Sequence, residues 1–453
     1  MRLTVKRTWL CFAALSFMLL CFHVFPVFFP SSQRSTVQRV CGKMTAKPHF
    51  IGVEKETLLY SAWFDDRKDQ NYIRVLLLTS RRMYPPPLSC SFQSGSSTSV
   101  ASSYYYEINW VHPKRYGLFV ASCVLSKKLH STPCFVNISL ALSSGQPSSS
   151  VVLPVGNTES QQNIADTGRR EYGICVPPFH GDVSPATVIE FIELSKLLGA
   201  SYFTFYDFEV SENLRKVLNY YEDKGQAQVL SWKLPSYITN SADVHYYGQI
   251  LAIQDCLFRS LNHFNFVAFN DLDEYIVPLQ YGNMSSLLHN IHKAKHCGHC
   301  FEAAKFFRLG TELSRTSTSV TQNVFHRLRK PDPSRPKCVV DPQRVFEHGV
   351  HIVMQPLKYK YSTNNVDWNV ARIFHFSPGC TCTPPCKEDL EVDKTMQKYG
   401  EQLRQNIDMI TNIIPLGEWI PGPLSSSRIT SIVFTSDVML NKCGKPVSRQ
   451  INK

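Results

Sequence analysis

No block of Lys or Arg interrupts this 453-residue chain, and past Phe29 no apolar run is long enough to cross a bilayer. The first absence removes the basic stripe that a nucleic-acid-binding surface needs, although the formal net charge is +12. Arg2, Lys6 and Arg7 account for three of the cations, and the rest are dispersed. A dispersed excess gives a basic surface that attracts anionic partners such as diphosphates and membrane headgroups. The second absence confines any membrane span to the amino terminus. Across the whole chain 43% of the residues are hydrophobic and 19% are charged, an ordinary globular balance. The length is enough for two or three domains with a substantial core.

The segment Trp9–Phe29 contains no Asp, Glu, Lys or Arg. At about 1.5 Å per residue it crosses roughly 30 Å of hydrocarbon. It ends in aromatics and lacks a small-x-small cleavage site, so it reads as an uncleaved anchor. The basic residues ahead of it keep the amino terminus cytosolic. The expectation is a single-pass type II protein: a cytosolic tail at 1–8, an anchor at 9–29, a stem at 30–50, and a lumenal remainder.

Thirteen of the fifteen cysteines lie between Cys41 and Cys443. In an oxidising lumen they read as disulfides, with at least one thiol left over. His296-Cys297-Gly298-His299-Cys300 looks like a zinc knuckle, and Cys380, Cys382 and Cys386 form a second tight group. Neither has the second half that a four-ligand zinc site needs. Asn137-Ile138-Ser139 and Asn283-Met284-Ser285 are N-glycosylation acceptors.

Short β-prone segments at Arg74–Leu78, Ser103–Trp110, Tyr116–Leu125 and Cys134–Leu142 alternate with turn-rich stretches, which predicts a small antiparallel sandwich over 51–165. From Tyr172 the texture becomes strand–helix repetition. Strands are expected at Tyr172–Val176, Tyr202–Phe208, Ala227–Trp232 and Phe264–Phe269. Helices are expected from Ser184 to Gly199, from Ser211 to Gly225 and over Tyr246–His263. Such repetition implies a parallel sheet covered by helices, with ligands at the carboxyl ends of its strands. Further on, Phe301–Leu309 and Val324–Leu328 read as strands. Glu388–Ile410 reads as a helix with Val392, Met396, Tyr399, Leu403, Ile407 and Ile410 along its core face.

Asn270-Asp271-Leu272-Asp273-Glu274 follows the buried strand Phe264–Phe269. Two carboxylates one residue apart at a strand end can hold a divalent cation, which neutralises the diphosphate leaving group of a nucleotide sugar. Asp271 and Asp273 are the primary ligands of this reading, and Glu274 is a third ligand or orients one. His375, after the apolar Ala371–Phe374, is the candidate late ligand; His351 is a second. Arg372 could contact phosphate. Displacement at the sugar needs a base on the acceptor hydroxyl, and Glu302, Glu347 and Asp367 are the open candidates.

Several segments together resemble glycosyltransferase family 92: Tyr172–Gly181, Val188–Asp207, Tyr247-Gly248-Gln249 through Asp255-Cys256, Asn270–Ile276 and Ala371–His375. Ser61-Ala62-Trp63-Phe64-Asp65-Asp66-Arg67 is similar to the region ahead of the catalytic domain in animal members. The resemblance implies an α/β, GT-A-like mixed sheet with flanking helices at 170–440, preceded by a small all-β domain and the transmembrane helix. It implies a Golgi enzyme that uses Mn2+ to transfer galactose from UDP-galactose with inversion, giving a β-1,4 linkage on an N-glycan acceptor. Asp271 and Asp273 match the family's acidic motif. Phe376-Ser377 departs from the Tyr-Arg that more often continues the late segment. Two other readings stay open: the same fold with another UDP-sugar such as UDP-N-acetylglucosamine, and a membrane-anchored glycan-binding protein without catalysis.

Overall fold

The computed structural model describes Cys41 and residues 47–414, apart from 42–46, 55, 84–86, 95–96, 109–113, 127–131, 141–148, 159–167, 179–182, 239–242, 308–318 and 377–388. The anchor expected at 9–29, most of the stem and the Cys380–Cys386 group lie outside the described residues. Among those described, no helix is long and apolar enough to cross a membrane.

The amino-terminal strands are β1 (Ile51–Glu54), β2 (Thr57–Asp65), β3 (Tyr72–Ser80), β4 (Leu88–Ser94), β5 (Ser97–Ile108), β6 (Tyr116–Val124), β7 (Phe135–Leu140) and β8 (Ser150–Gly156). They pair in the order β1-β2-β3-β6-β5-β4-β7-β8, and β8 returns to β2 in parallel register, Ala62 opposite Val155 and Trp63 opposite Gly156. The sheet therefore closes on itself, where the spacing of the segments suggested two open layers. Closure leaves few free strand edges, which are a standing hazard for aggregation. Gly156 is required at the seam, because a Cβ there would lie 2.1 Å from the Trp63 ring. Leu59, Ile73, Val75, Leu77, Phe92, Phe119 and Ile138 fill the interior beside the Cys90–Cys123 disulfide.

The second sheet begins as the alternation predicts: β9 (Arg170–Val176), α1 (Pro185–Leu197), β10 (Tyr202–Asp207), α2 (Glu212–Asp223), β11 (Ala227–Ser231), α3 (Gln249–Arg259) and β12 (Phe264–Phe269). The four strands are parallel in the order β11-β10-β9-β12. Their carboxyl ends thus share one edge. Ser211 caps α2, its hydroxyl accepting from Leu214 N at 3.3 Å, and Gly199 and Gly225 take positive φ where the first two helices end. Beyond lie β13 (Glu274–Pro278), α4 (Met284–Ile291), β14 (His296–Phe307), β15 (His326–Leu328), β16 (Asp332–Val340), β17 (Val345–His348), β18 (Val353–Pro356), β19 (Ser362–Asn365), β20 (Ala371–His375), β21 (Leu390–Val392) and α5 (Gly400–Ile413). β16 runs antiparallel between β12 and β14, while β20 joins β13 to β14. The result is a mixed α/β protein with two large sheets and few helices.

Two expectations need correction. The helix expected over Tyr246–His263 starts only at Gln249, because Tyr246, Tyr247 and Gly248 take left-handed φ of 43°, 53° and 80°. The expected helix Glu388–Ile410 is broken: β21 pairs with β15 and leaves Val392 58% exposed, and a regular helix begins at Gly400. Asp393 makes the break, pairing with Arg327 at 2.7 Å and accepting from Thr395 N at 3.0 Å.

Each face of the parallel strands has its own core. On one side Phe191, Ile192, Leu403, Ile407 and Ile410 of α1 and α5 pack on Ile174, Phe203, Phe205 and Ala268. On the other, α3 lies between Tyr206, Leu230, Val267 and Phe269 of the sheet and Leu58, Tyr60, Leu76, Leu118 and Val120 of the first sheet. Full burial of each such side chain is worth about 1.5–3 kcal/mol. Asp255 of α3 anchors this seam with no exposure. It accepts from Ser61 Oγ at 2.6 Å, Trp63 Nε1 at 3.0 Å and Tyr206 Oη at 2.7 Å, and pairs with Arg259 at 3.0 Å. Beside it the Cys175–Cys256 disulfide ties α3 to β9. Arg67, held by Asp65 at 2.8 Å, donates to the carbonyls of Pro342 and Val345 at 2.7 and 2.6 Å.

Candidate active site

The acidic segment is the turn that joins β12 to β13. Asn270 N donates to Cys175 O at 3.2 Å and Glu274 N to Asp271 O at 3.1 Å, which fixes a tight reversal at the carboxyl edge of the parallel strands. Glu274 then faces His375 directly across β13 and β20. His375 Nε2 stands 3.3 Å from Asp273 Oδ2, and its Nδ1 is 3.8 Å from Glu274 Oε1. The structure therefore brings Asp273 and Glu274 together with His375, about a hundred positions further along the chain.

One further residue completes the cluster. Lys337 of β16, directly opposite Phe301 of β14, places Nζ 3.0 Å from Asp271 Oδ2 and 3.1 Å from Glu274 Oε2. Its side chain is 1% exposed. Burial works against the ammonium, but Asp271 and Glu274 outweigh it and hold Lys337 well above its usual range. Burial also raises the Glu274 carboxyl despite Lys337. For His375, burial opposes protonation and the Asp273 carboxylate overcomes it, so its pKa is raised.

The chemistry of the donor set suits a hard divalent cation: two largely buried carboxylates that still reach solvent, an imidazole and the buried Asn270 Oδ1, which has no hydrogen-bond partner. Two ligands of one ion at about 2.1 Å each sit roughly 3 Å apart, the separation of Asp273 and His375. Asp271, the other primary ligand expected, is engaged by Lys337. Among the described residues no three His, Cys, Asp or Glu side chains are gathered to hold a metal as they stand.

The other expected residues are placed as follows. His351 is half-buried, and its Nδ1 lies 3.2 Å from Pro336 O, so that nitrogen carries the proton and Nε2 the lone pair. Burial first, and then the Lys337 charge, push its pKa down to about 4, and Asp271 acts on it in the opposite sense. Arg372 stands on the alternate face of β20 from His375 and stacks 4.5 Å from the Trp368 ring, with Asp393 at 3.9 Å. Of the three base candidates, buried Glu347 takes a short hydrogen bond from Tyr106 of β5. Exposed Asp367 accepts from Asn369 N at 2.7 Å in its own turn. Glu302 is half-buried at a β-bulge of β14, between Phe301 opposite Lys337 and Ala303 opposite Asp332. Bulges of this kind re-aim a side chain and are frequent beside active sites.

Sequence reasoning missed the cleft at the carboxyl end of β10. A cavity of about 420 Å3 is lined by Asp207, Phe208, Ser211, Arg215 and Lys233, among others, and Asp207 pairs with Arg215 at 2.8 Å. Tyr247, from the left-handed segment, packs 5.0 Å from Phe208. The signal available was the position of Asp207 at a strand end, one turn before a helix cap. The zinc-like motif resolves otherwise. Cys300 is bonded to Cys338 and Cys297 is a buried free thiol. Arg344 donates to His292 Nε2 at 2.8 Å, which leaves His292 Nδ1–H to donate to His299 Nε2 at 3.1 Å. Burial lowers these two imidazoles to about 4 and about 3, so they are neutral hydrogen-bonded groups. Cys41–Cys134 is the fourth disulfide among the described residues.

The carboxylate turn after β12 and the polar cleft after β10 both lie at the carboxyl edge of the parallel strands, the edge at which open α/β sheets bind their ligands. Residues 170–412 match the model of glycosyltransferase family 92, and the chain belongs to that family. It is also 25% identical, over 378 residues, to the β-1,4-galactosyltransferase galt-1 of Caenorhabditis elegans, an alignment that covers 81% of this chain and 83% of that one. Among solved structures, S. aureus TarS overlaps 46% of this chain and 61% of its own at a TM-score of 0.25 and 11% identity. The glucosyl-3-phosphoglycerate synthase of Mycobacterium tuberculosis, solved with Mn2+, UDP and glucosyl-3-phosphoglycerate, covers 56% of this chain and 83% of its own, at 0.25 and 14% identity.

Proposed function

We propose that this glycosyltransferase transfers galactose from UDP-galactose to a glycoprotein N-glycan, with inversion to a β-1,4 linkage. The sheet is read as GT-A-like, and the enzyme as a single-pass type II protein with this part in the Golgi lumen. The observation that carries the reading is the Asp273–His375 approach at the end of β12. The family and the 25% identical galactosyltransferase support the donor and the linkage.

Asp273 and His375, with Asp271 once freed from Lys337, are the residues to hold Mn2+, and Glu274 orients them. When bound, such an ion supplies charge neutralisation at the leaving diphosphate. The chain's own groups do the rest. The cleft at Asp207, Arg215 and Lys233 is the place for the nucleoside, with Phe208 as its apolar wall. Glu302 accepts the proton of the acceptor hydroxyl as that oxygen attacks the sugar from the face opposite the diphosphate. A buried carboxylate already hydrogen-bonded to a phenol, as Glu347 is to Tyr106, is poorly placed for that task.

The test is a set of variants assayed for UDP release and product linkage. Asp273→Ala and His375→Ala should lose transfer by at least about a hundredfold, since the lost stabilisation is several kcal/mol. Glu302→Gln should keep UDP affinity and lose turnover, because a base acts only in the transition state. An α-linked product would refute inversion, and full activity of Glu302→Gln would move the base elsewhere. Release from another UDP-sugar alone would correct the donor. No release from any UDP-sugar would favour a glycan-binding role.

A further inference from the structure

Lys337 is a residue that no motif singles out, yet it is the most deeply buried charge of the acidic cluster. The carboxylate that would complete a ligand set with Asp273 and His375 is the one it holds. We propose that Lys337 is an internal counter-cation that a divalent metal must displace from Asp271, so that metal binding stays weak until a nucleoside diphosphate arrives. This rests on the metal reading of the acidic turn.

Asp271, Asp273 and Glu274 bring three negative charges, and Lys337 reduces them to two, the number a divalent ion neutralises. A buried ammonium cannot be left without partners, because nothing then offsets the loss of its hydration. On losing Asp271 it keeps Glu274, 3.1 Å away, and lacks one anion. A nucleoside diphosphate arriving at the same edge supplies that anion. Metal and nucleotide binding are then coupled through one side chain, and the coupling is reciprocal: each tightens the other by the same factor. The ammonium positions Asp271 and receives the diphosphate; it takes no part in bond making.

The experiment uses the full chain in detergent micelles and Mn2+ alone as the first probe, read by the paramagnetic resonance of the free ion, then Mn2+ with UDP. In the unaltered protein UDP should tighten Mn2+ by about tenfold or more, within the usual range of such couplings. Lys337→Met should bind Mn2+ more tightly without UDP, bind UDP more weakly with Mn2+, and lose most of the mutual enhancement. A merely structural role would weaken both. Lys337→Arg should restore the unaltered pattern. If Lys337→Met does not fold, the charge-matched pair Lys337→Met with Glu274→Gln replaces it, and independent binding of Mn2+ and UDP by the unaltered protein overturns the proposal regardless. Mn2+ binding unchanged or weakened in Lys337→Met also overturns it while leaving the metal reading intact. Absence of Mn2+ binding to the unaltered protein, with and without UDP, sinks the metal reading and this proposal with it.

Discussion

Asp255 offers the sharpest test of how the two sheets are held together. It is fully buried and receives hydrogen bonds from Ser61, Trp63 and Tyr206 in addition to the Arg259 guanidinium. Asp255→Asn preserves shape but replaces one acceptor oxygen by a donor. Tyr206 can rotate its hydroxyl to accept; Arg259 cannot, because a guanidinium has only donors. The variant therefore leaves a buried cation without its counter-charge, which costs about 3–5 kcal/mol. Asp255→Ala adds unsatisfied hydroxyl and indole donors at about 1–3 kcal/mol each, with partial overlap. Against a total stability of about 5–15 kcal/mol, the alanine variant should fail to fold. The measurement is urea unfolding of the disulfide-intact protein, following tryptophan fluorescence, since Trp63 and Trp232 both lie at the seam. The double variant Asp255→Asn with Arg259→Met should recover much of the loss, because the stranded charge is gone. A single-variant loss below about 1 kcal/mol, or no recovery in the double variant, would refute the reasoning.

Asp65 is buried, yet Arg67 and Arg74 hold its carboxyl well below the usual range. A depressed folded-state pKa stabilises above the unfolded value and is lost as pH falls below it. Asp65→Asn should thus cost about 3 kcal/mol at pH 7, and its deficit should shrink steadily below about pH 4; a constant gap on acidification would contradict this. Gly156→Ala should destabilise by about 1–3 kcal/mol in the same unfolding assay, since the new methyl meets Trp63 at the barrel seam. If the chain is lumenal, endoglycosidase should shift its mobility through Asn137 or Asn283, and loss of both sequons should abolish the shift. Asn283→Ala should in addition cost about 1 kcal/mol without any glycan, because its Oδ1 caps α4 through Ser286 N at 2.9 Å.

Local signals wrote the parallel half of the fold clearly. Phe264–Phe269 forms the strand its apolar run announces, Ser211 caps as expected, and Gly199 and Gly225 end helices by adopting φ that other residues avoid. Asp271, Asp273 and His375 were legible as residue types, but only β13 pairing with β20 shows that the last two meet. β16 was hidden because Pro333 and Pro336 argue against a sheet interior, and with it went Lys337. Closure of the first sheet was hidden too, since β2 and β8 are ninety residues apart and nothing local specifies their pairing. The break at Asp393 depends on Arg327, again a distant partner.

The family match starts at Arg170, in the middle of nothing the hydrophobic core recognises as an edge. α3 is sandwiched, with Leu58, Tyr60 and Leu118 pressing on it from one side and Val267 and Phe269 from the other. The border at Arg170 is therefore a border of likeness, and the packing around α3 runs across it without a break. The nematode relative, aligned over 378 residues, extends well past that span. The barrel and the transferase sheet are physically one piece: a change to Trp63 or Ser61 is felt by Asp255, and through the Cys175–Cys256 bond by the strand whose backbone carbonyl holds Asn270 at the mouth of the acidic turn.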